Sequence, residues 1–155
     1  MVASGQNGQQ PLVFLWDATT CEKKGKKRLP KGCRLVTAIG ISATDQYVAA
    51  ADAAEKIAVH LFKIDGGAAA IATVQINMKV VHLAFSGFEE NVFATAGKDH
   101  LAICTLTGDG KAAKLDKKMG KGKGGTVESQ CAAAWSASEA TKDTIFSGSS
   151  SGEVV

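Results

Sequence analysis

Val13-Phe14-Leu15-Trp16 and Val59-His60-Leu61-Phe62 share the pattern V-x-L-aromatic and stand 46 residues apart. A second element keeps that offset: Val2-Ala3-Ser4-Gly5, Val48-Ala49-Ala50-Ala51, Ala94-Thr95-Ala96-Gly97 and Ile145-Phe146-Ser147-Gly148 end 46, 46 and 51 residues apart. A third element precedes the later copies. Ala38-Ile39-Gly40-Ile41-Ser42, Leu83-Ala84-Phe85-Ser86 and Ala133-Ala134-Trp135-Ser136 each close on a hydrophobic residue and a serine, then enter a short polar turn. Self-similarity at a fixed period marks repeats of one supersecondary unit. The order within a unit is an apolar inner strand, a turn, a small-residue strand, a hairpin and a strand ending in an aromatic. With Gly, Asp and Ser as punctuation, that order is an antiparallel meander.

Ala50 to Ile64 competes with this reading. Ala54, Ile57, Ala58, Leu61 and Ile64 satisfy helical spacing, and alanine is a strong helix former. The repeat register overrides the local pattern, because Val59–Phe62 superposes on Val13–Trp16, where no helical case exists. The expected fold class is all-β. A period of 46 lies close to the roughly 40 to 45 residues of a four-stranded propeller blade.

The composition of the 155 residues agrees with a packed chain: 45% hydrophobic and 21% charged is too apolar for disorder. No run of about 18 apolar residues is present to span a bilayer, and Met1 to Pro11 is polar and lacks the pattern of a secretory signal. The expected location is the cytoplasm. Cys21, Cys33, Cys104 and Cys131 are spaced by 12, 71 and 27 residues, without the close pairing of a structural zinc site, and are expected as free thiols.

Charge is distributed unevenly. Glu22–Arg34 carries Lys23, Lys24, Lys26, Lys27, Arg28, Lys31 and Arg34 against one acid. Lys111–Lys123 carries Lys111, Lys114, Lys117, Lys118, Lys121 and Lys123 against Asp116. These segments hold +6 and +5; taking those eleven charges from the total of +3 leaves −8 for the rest of the chain. An acidic body with two concentrated basic segments points to an acidic partner or a polyanion.

Leu15-Trp16-Asp17 and the hairpin Gly97-Lys98-Asp99 resemble the strand ending and tight turn of WD-repeat β-propellers. More narrowly, the chain resembles the echinoderm microtubule-associated protein-like family. Pro11–Thr20 is similar to its P-x-V-x-[VL]-W-D-[AS]-x-T segment, and Gly97-Lys98-Asp99-His100-Leu101 to its G-x-x-H-[IL] hairpin. Lys117–Lys121 resembles its K-x-G-x-F-G-K connection, and Phe146–Val154 its following S-G-x-x-x-G strand pair. The chain departs from the pattern at Cys104, where tryptophan is usual, at Phe62-Lys63 in place of W-D, and in lacking the Gly-His dipeptide of WD repeats.

The resemblance implies WD-repeat β-propeller blades built as four-stranded antiparallel meanders. The expected division of residues 1–155 is the end of one blade over 1–20, a second blade over 33–75, a third over 80–116 and the start of a fourth over 128–155. Propellers have about 4 to 8 blades, so an incomplete ring is expected, with the rest of the propeller supplied by a longer parent chain.

No catalytic, cofactor-binding or metal-binding set is expected. Gly148-Ser149-Ser150-Ser151-Gly152 satisfies G-x-S-x-G but reads as a β-hairpin, since only three residues follow it. Gly120, Gly122 and Gly125 satisfy G-x-G-x-x-G without the apolar strand that a dinucleotide site needs. His60, His82 and His100 fall one to a strand, without i, i+4 pairing or a cysteine nearby in sequence, and His100 is structural at its hairpin if the resemblance holds.

The thirteen basic residues are the candidate partner-binding set. The meander places both segments after a third strand, as outermost strands and the loops that follow, whereas the equivalent Asp65–Lys79 is rich in alanine and carries little charge. The reading is a non-catalytic scaffold. Tubulin and microtubules, with other cytoskeletal or axonemal proteins, are the partners the resemblance implies, at the cytoskeleton or in a cilium or flagellum. The alternatives are a generic protein-interaction propeller, or a polyanion binder for nucleic acid or anionic membrane. Neither basic segment contains an aromatic residue, so the stacking platforms of sequence-specific nucleic-acid binding are missing.

Overall fold

The computed structural model describes residues 1–121 and 127–154. Its strands form four antiparallel sheets in chain order. The first contains β1 (Val2–Gly5), β2 (Leu12–Trp16) and β3 (Lys23–Arg28). The second contains β4 (Val36–Ile41), β5 (Tyr47–Asp52), β6 (Ala58–Lys63) and β7 (Ala72–Gln75). The third contains β8 (Val80–Phe85), β9 (Val92–Gly97), β10 (His100–Thr107) and β11 (Lys114–Met119), and the last pairs β12 (Gln130–Trp135) with β13 (Ile145–Ser149). Within each sheet, every strand pairs with its neighbours in sequence. The helical alternative for Ala50 to Ile64 is replaced by β5, a turn and β6.

The 46-residue offset is a register offset. Val2↔Trp16 and Gly5↔Val13 pair in the first sheet, and Val48↔Phe62 and Ala51↔Val59 pair at the same positions of the second. The third sheet shortens the hairpin: Gly97 pairs with His100 across a two-residue loop, where Asp99 holds φ 55. The repeated serine at the end of each inner strand has a common task. The hydroxyls of Ser42, Ser86 and Ser136 accept backbone N–H groups of the following turn, at 3.0–3.1 Å from Gln46 and Tyr47, 3.2 Å from Phe88 and Glu89, and 3.2 Å from Ser138. A hydroxyl that satisfies turn amides stabilises the reversal between two strands.

Period-2 alternation divides the core into two layers. Val48, Ala50, Phe62 and Ile64 point toward Val13, Leu15, Leu29 and Cys33 of the preceding sheet and its connection. Ala49, Ala51, Val59 and Leu61 point the other way, toward Leu83, Phe93, Cys104 and Leu106. A sheet packed on both faces has no solvent side, which explains why β5 and β9 read as unbroken buried runs rather than as apolar-polar alternation. Close approach also selects glycine. A Cβ on Gly40 of β4 would lie 2.6 Å from the Leu83 side chain of β8, and one on Gly97 would run into the Lys79 carbonyl.

The first sheet continues through Lys23–Arg28, past the 1–20 span expected for it, and the third runs to Met119 rather than stopping at 116. Among the described residues, two short 3-10 turns, Gly110–Ala112 and Glu139–Thr141, lie in connections. The 148–152 segment ends β13 in a turn, with a Gly148↔Val154 bridge and Gly152 at φ 90.

Candidate functional site

The two basic segments lie on outermost strands. β3 is the edge of the first sheet and β11 the edge of the third, while the corresponding strand of the sheet between them, β7, is the uncharged Ala72-Thr73-Val74-Gln75. Lys23, Lys24, Lys26, Arg28, Lys31 and Arg34 are exposed, as are Lys111, Lys114, Lys117, Lys118 and Lys121. Lys123 lies outside the described residues, as do Gly122 and Gly125 of the glycine pattern.

Lys27 does not belong to this surface, and its place in the candidate set is corrected. It is 3% exposed, and its Nζ donates to the carbonyls of Ile64 and Gly66 at 2.8 Å and of Gly67 at 3.2 Å. Alternation along β3 turns this one side chain inward, where its three ammonium protons match three carbonyls of the β6–β7 connection. Burial lowers its pKa, partly offset by Asp65. Four exposed members also have partners, among them Lys114, whose Nζ lies 2.7 Å from Asp116 Oδ1. Lys117 donates to the Gln75 carbonyl of β7, Lys24 pairs with Asp17 at 3.4 Å, and Lys23 lies over the Phe14 ring at 5.5 Å. Asp17, the acid of Trp16-Asp17, accepts the N–H groups of Thr20 and Thr19 at 3.0 and 2.8 Å. Those bonds, with Lys24, take its carboxyl down to about 2. It is a turn cap after β2.

Folding creates a second cluster that sequence spacing conceals. Cys33, Asp52 and His60 are all buried on the wall of a cleft of about 850 Å³ between β3's following loop and the β5–β6 hairpin. His60 Nε2 lies 2.8 Å from Asp52 Oδ2, Cys33 Sγ donates to the same oxygen at 3.0 Å, and Sγ and Nε2 are 3.9 Å apart. Asp52 Oδ1 accepts the N–H groups of Ala58 at 3.0 Å and Ala54 at 3.3 Å, and His60 Nδ1 faces Thr73 Oγ1 at 3.0 Å. Burial works to raise the Asp52 pKa, but the hydrogen bonds from His60, Cys33, Ala58 and Ala54 outweigh it and hold the carboxyl below its ordinary range. Burial first, and then the Asp52 carboxylate, push the Cys33 thiol up to about 12.

This is not a nucleophilic triad. Such a triad orients histidine through the ring nitrogen opposite the nucleophile, whereas here the acid and the thiol meet the same nitrogen. A thiol held at about 12 is also protonated and unreactive at neutral pH. The three donor atoms, a thiol sulfur, a carboxylate oxygen and an imidazole nitrogen, lie within 4.8 Å of one another. The signal for two of the three lies in the hairpin: Ala51↔Val59 pairing makes Asp52 and His60 diagonal neighbours on one face. Cys33 joins them only through packing.

His82 Nδ1 accepts the Ala133 N–H at 3.2 Å, tying β8 to β12. His100 is fully buried at the tight hairpin, its Nδ1 3.3 Å from the Lys98 carbonyl, and burial lowers its pKa. The exposed Cys21 and Cys131 and the buried Cys104 are free thiols, like Cys33.

No protein-family model matches the chain. Over 124 residues it is 38% identical to the ciliary WD repeat-containing protein ctxp80 of Euplotoides octocarinatus, an alignment covering 79% of this chain. The chain corresponds to only 17% of that relative's length. Its fold matches the β-propeller domain of Myceliophteria thermophila Cps50 (Swd1) with a TM-score of 0.66 at 18% identity, over 94% of this chain and 44% of that one. The fold is thus that of consecutive β-propeller blades.

Proposed function

We propose that this stretch of WD-repeat β-propeller is a non-catalytic interaction scaffold of the cilium that meets an acidic protein surface through the lysines of β3 and β11. The observation that carries the reading is the exposure of eleven basic residues on two outermost strands and their adjoining loops, set on a body of opposite charge. The similarity to a ciliary WD-repeat protein supports the location. The resemblance of Pro11–Thr20 and Gly97–Leu101 to the echinoderm microtubule-associated protein-like family supports tubulin, an acidic polymer, as the partner. Exposed lysines act as diffuse charge, so the contact is screened by salt.

Co-sedimentation with polymerised tubulin over a salt series tests this. The comparison variant converts the eleven exposed basic residues to glutamine and retains Lys27, whose ammonium is internal. Pelleting is expected to weaken with salt and to vanish in the variant. Absence of pelleting at low salt overturns the tubulin partner, and equal pelleting by the variant overturns the role of the lysines.

A further inference from the structure

We propose that Cys33, Asp52 and His60 form a binding site for a divalent zinc-class metal ion, with its open coordination position facing the cleft. The donor atoms are one thiolate sulfur, one carboxylate oxygen and one imidazole nitrogen, a set that suits zinc. A tetrahedral zinc ion with bonds of about 2.3 Å to sulfur and about 2.0–2.1 Å to nitrogen and oxygen holds its ligand atoms about 3.3–3.6 Å apart. The observed separations of 2.8, 3.0 and 3.9 Å bracket that range, so sub-ångström side-chain shifts would admit the ion.

The surroundings suit a ligand set as well. Metal-bound histidines are usually oriented through their other ring nitrogen. With Nε2 on the metal, His60 Nδ1 carries the proton and donates to Thr73 Oγ1, already 3.0 Å away. Asp52 Oδ1 is fixed by two backbone N–H groups, which leaves Oδ2 as the ligand. Binding forms the S–metal bond and breaks the S–H bond, with the thiol proton leaving to solvent. Two anionic ligands then cancel the charge of the ion, so the buried centre becomes neutral, and burying a neutral centre avoids the cost of an uncompensated charge. The cleft provides an entry path and room for a water or a partner's side chain at the fourth position. Among the described residues no second group of such donors occurs. At the matching positions 46 residues earlier, the first sheet has Gln6 and Phe14, which cannot form such a set.

The test uses the full chain with the exposed thiols removed (Cys21→Ser, Cys131→Ser), titrated with Co²⁺ and with Zn²⁺ against a chromophoric chelator. The expected result is one ion per chain, a thiolate-to-cobalt charge-transfer band, and loss of both in Cys33→Ser, whose hydroxyl retains the hydrogen bond to Asp52. Thr73→Val should weaken zinc binding by about 10–100-fold, the range for outer-sphere partners. Zinc X-ray absorption on the protein without the Cys33 substitution provides a readout independent of mutant folding, with one sulfur and otherwise nitrogen or oxygen neighbours expected. Lack of stoichiometric binding, a charge-transfer band that survives Cys33→Ser, or a first shell without sulfur would each overturn the site.

Discussion

The first and second sheets place the same elements 46 residues apart in the same register, yet their β-hairpins are chemically different. In the first, the loop between β1 and β2 is exposed, and Gln6 joins its ends by donating its N–H to the Leu12 carbonyl and accepting the Leu12 N–H on Oε1. In the second, Asp52 occupies the position of Gln6 and is 2% exposed, with His60 where the first sheet has Phe14. The aromatic closing each third strand differs too. Trp16 is half-buried and donates to Ser4 Oγ at 2.8 Å, whereas Phe62 is fully enclosed between sheets. Register is inherited from the repeat, but the environment at each register position depends on what packs against the sheet.

The widest separation should come from the aromatics. Phe62→Ala is expected to cost about 3–5 kcal/mol by leaving a cavity in a core with little room to relax. Trp16→Ala should cost less than about 2 kcal/mol, because part of that ring is already in solvent. Denaturant unfolding of both variants measures the difference, and equal losses would mean that the two sheets are energetically equivalent.

The hairpins should separate next. Asp52→Ala leaves His60, Cys33 and two amides without their acceptor and is expected to cost about 3 kcal/mol; Gln6→Ala should stay within about 0.5 kcal/mol. A pH series sharpens this contrast. The folded pKa of Asp52 is depressed, so its stabilisation is fully present above the ordinary carboxylate value of about 4 and is lost as pH falls from there through the folded value. Asp52→Asn should lose that acid-dependent component while Gln6→Ala retains it, and an unchanged acid limb in Asp52→Asn would refute the assignment.

The smallest effect contrasts lysines within one strand. Lys27→Met removes the donor to three carbonyls and should cost about 1–3 kcal/mol. Lys24→Met, on the exposed side, should change stability by no more than about 0.5 kcal/mol. Thermal unfolding of the pair decides whether Lys27 is a tie between sheets or one more surface charge.

Much of the architecture was legible because the repeat is a backbone property. The V-x-L-aromatic offset predicted the β1–β2 and β5–β6 pairings, and the repeated serine marked the turns it caps. The same pattern located the basic strands β3 and β11, since an outermost strand next to solvent tolerates a run of lysines. It did not single out Lys27, because a run of like residues conceals which one alternation turns inward.

The amino-acid sequence by itself determined the meander, its period and the positions of charge along it, all set by neighbours a few residues apart or by the repeat. Tertiary structure alone decided that Lys27 would be internal and that Cys33 would join Asp52 and His60. Both outcomes depend on which faces of successive sheets close against each other. Cys33 and His60 are 27 residues apart in the chain and 3.9 Å apart in space, a distance set by packing between sheets rather than by local pattern.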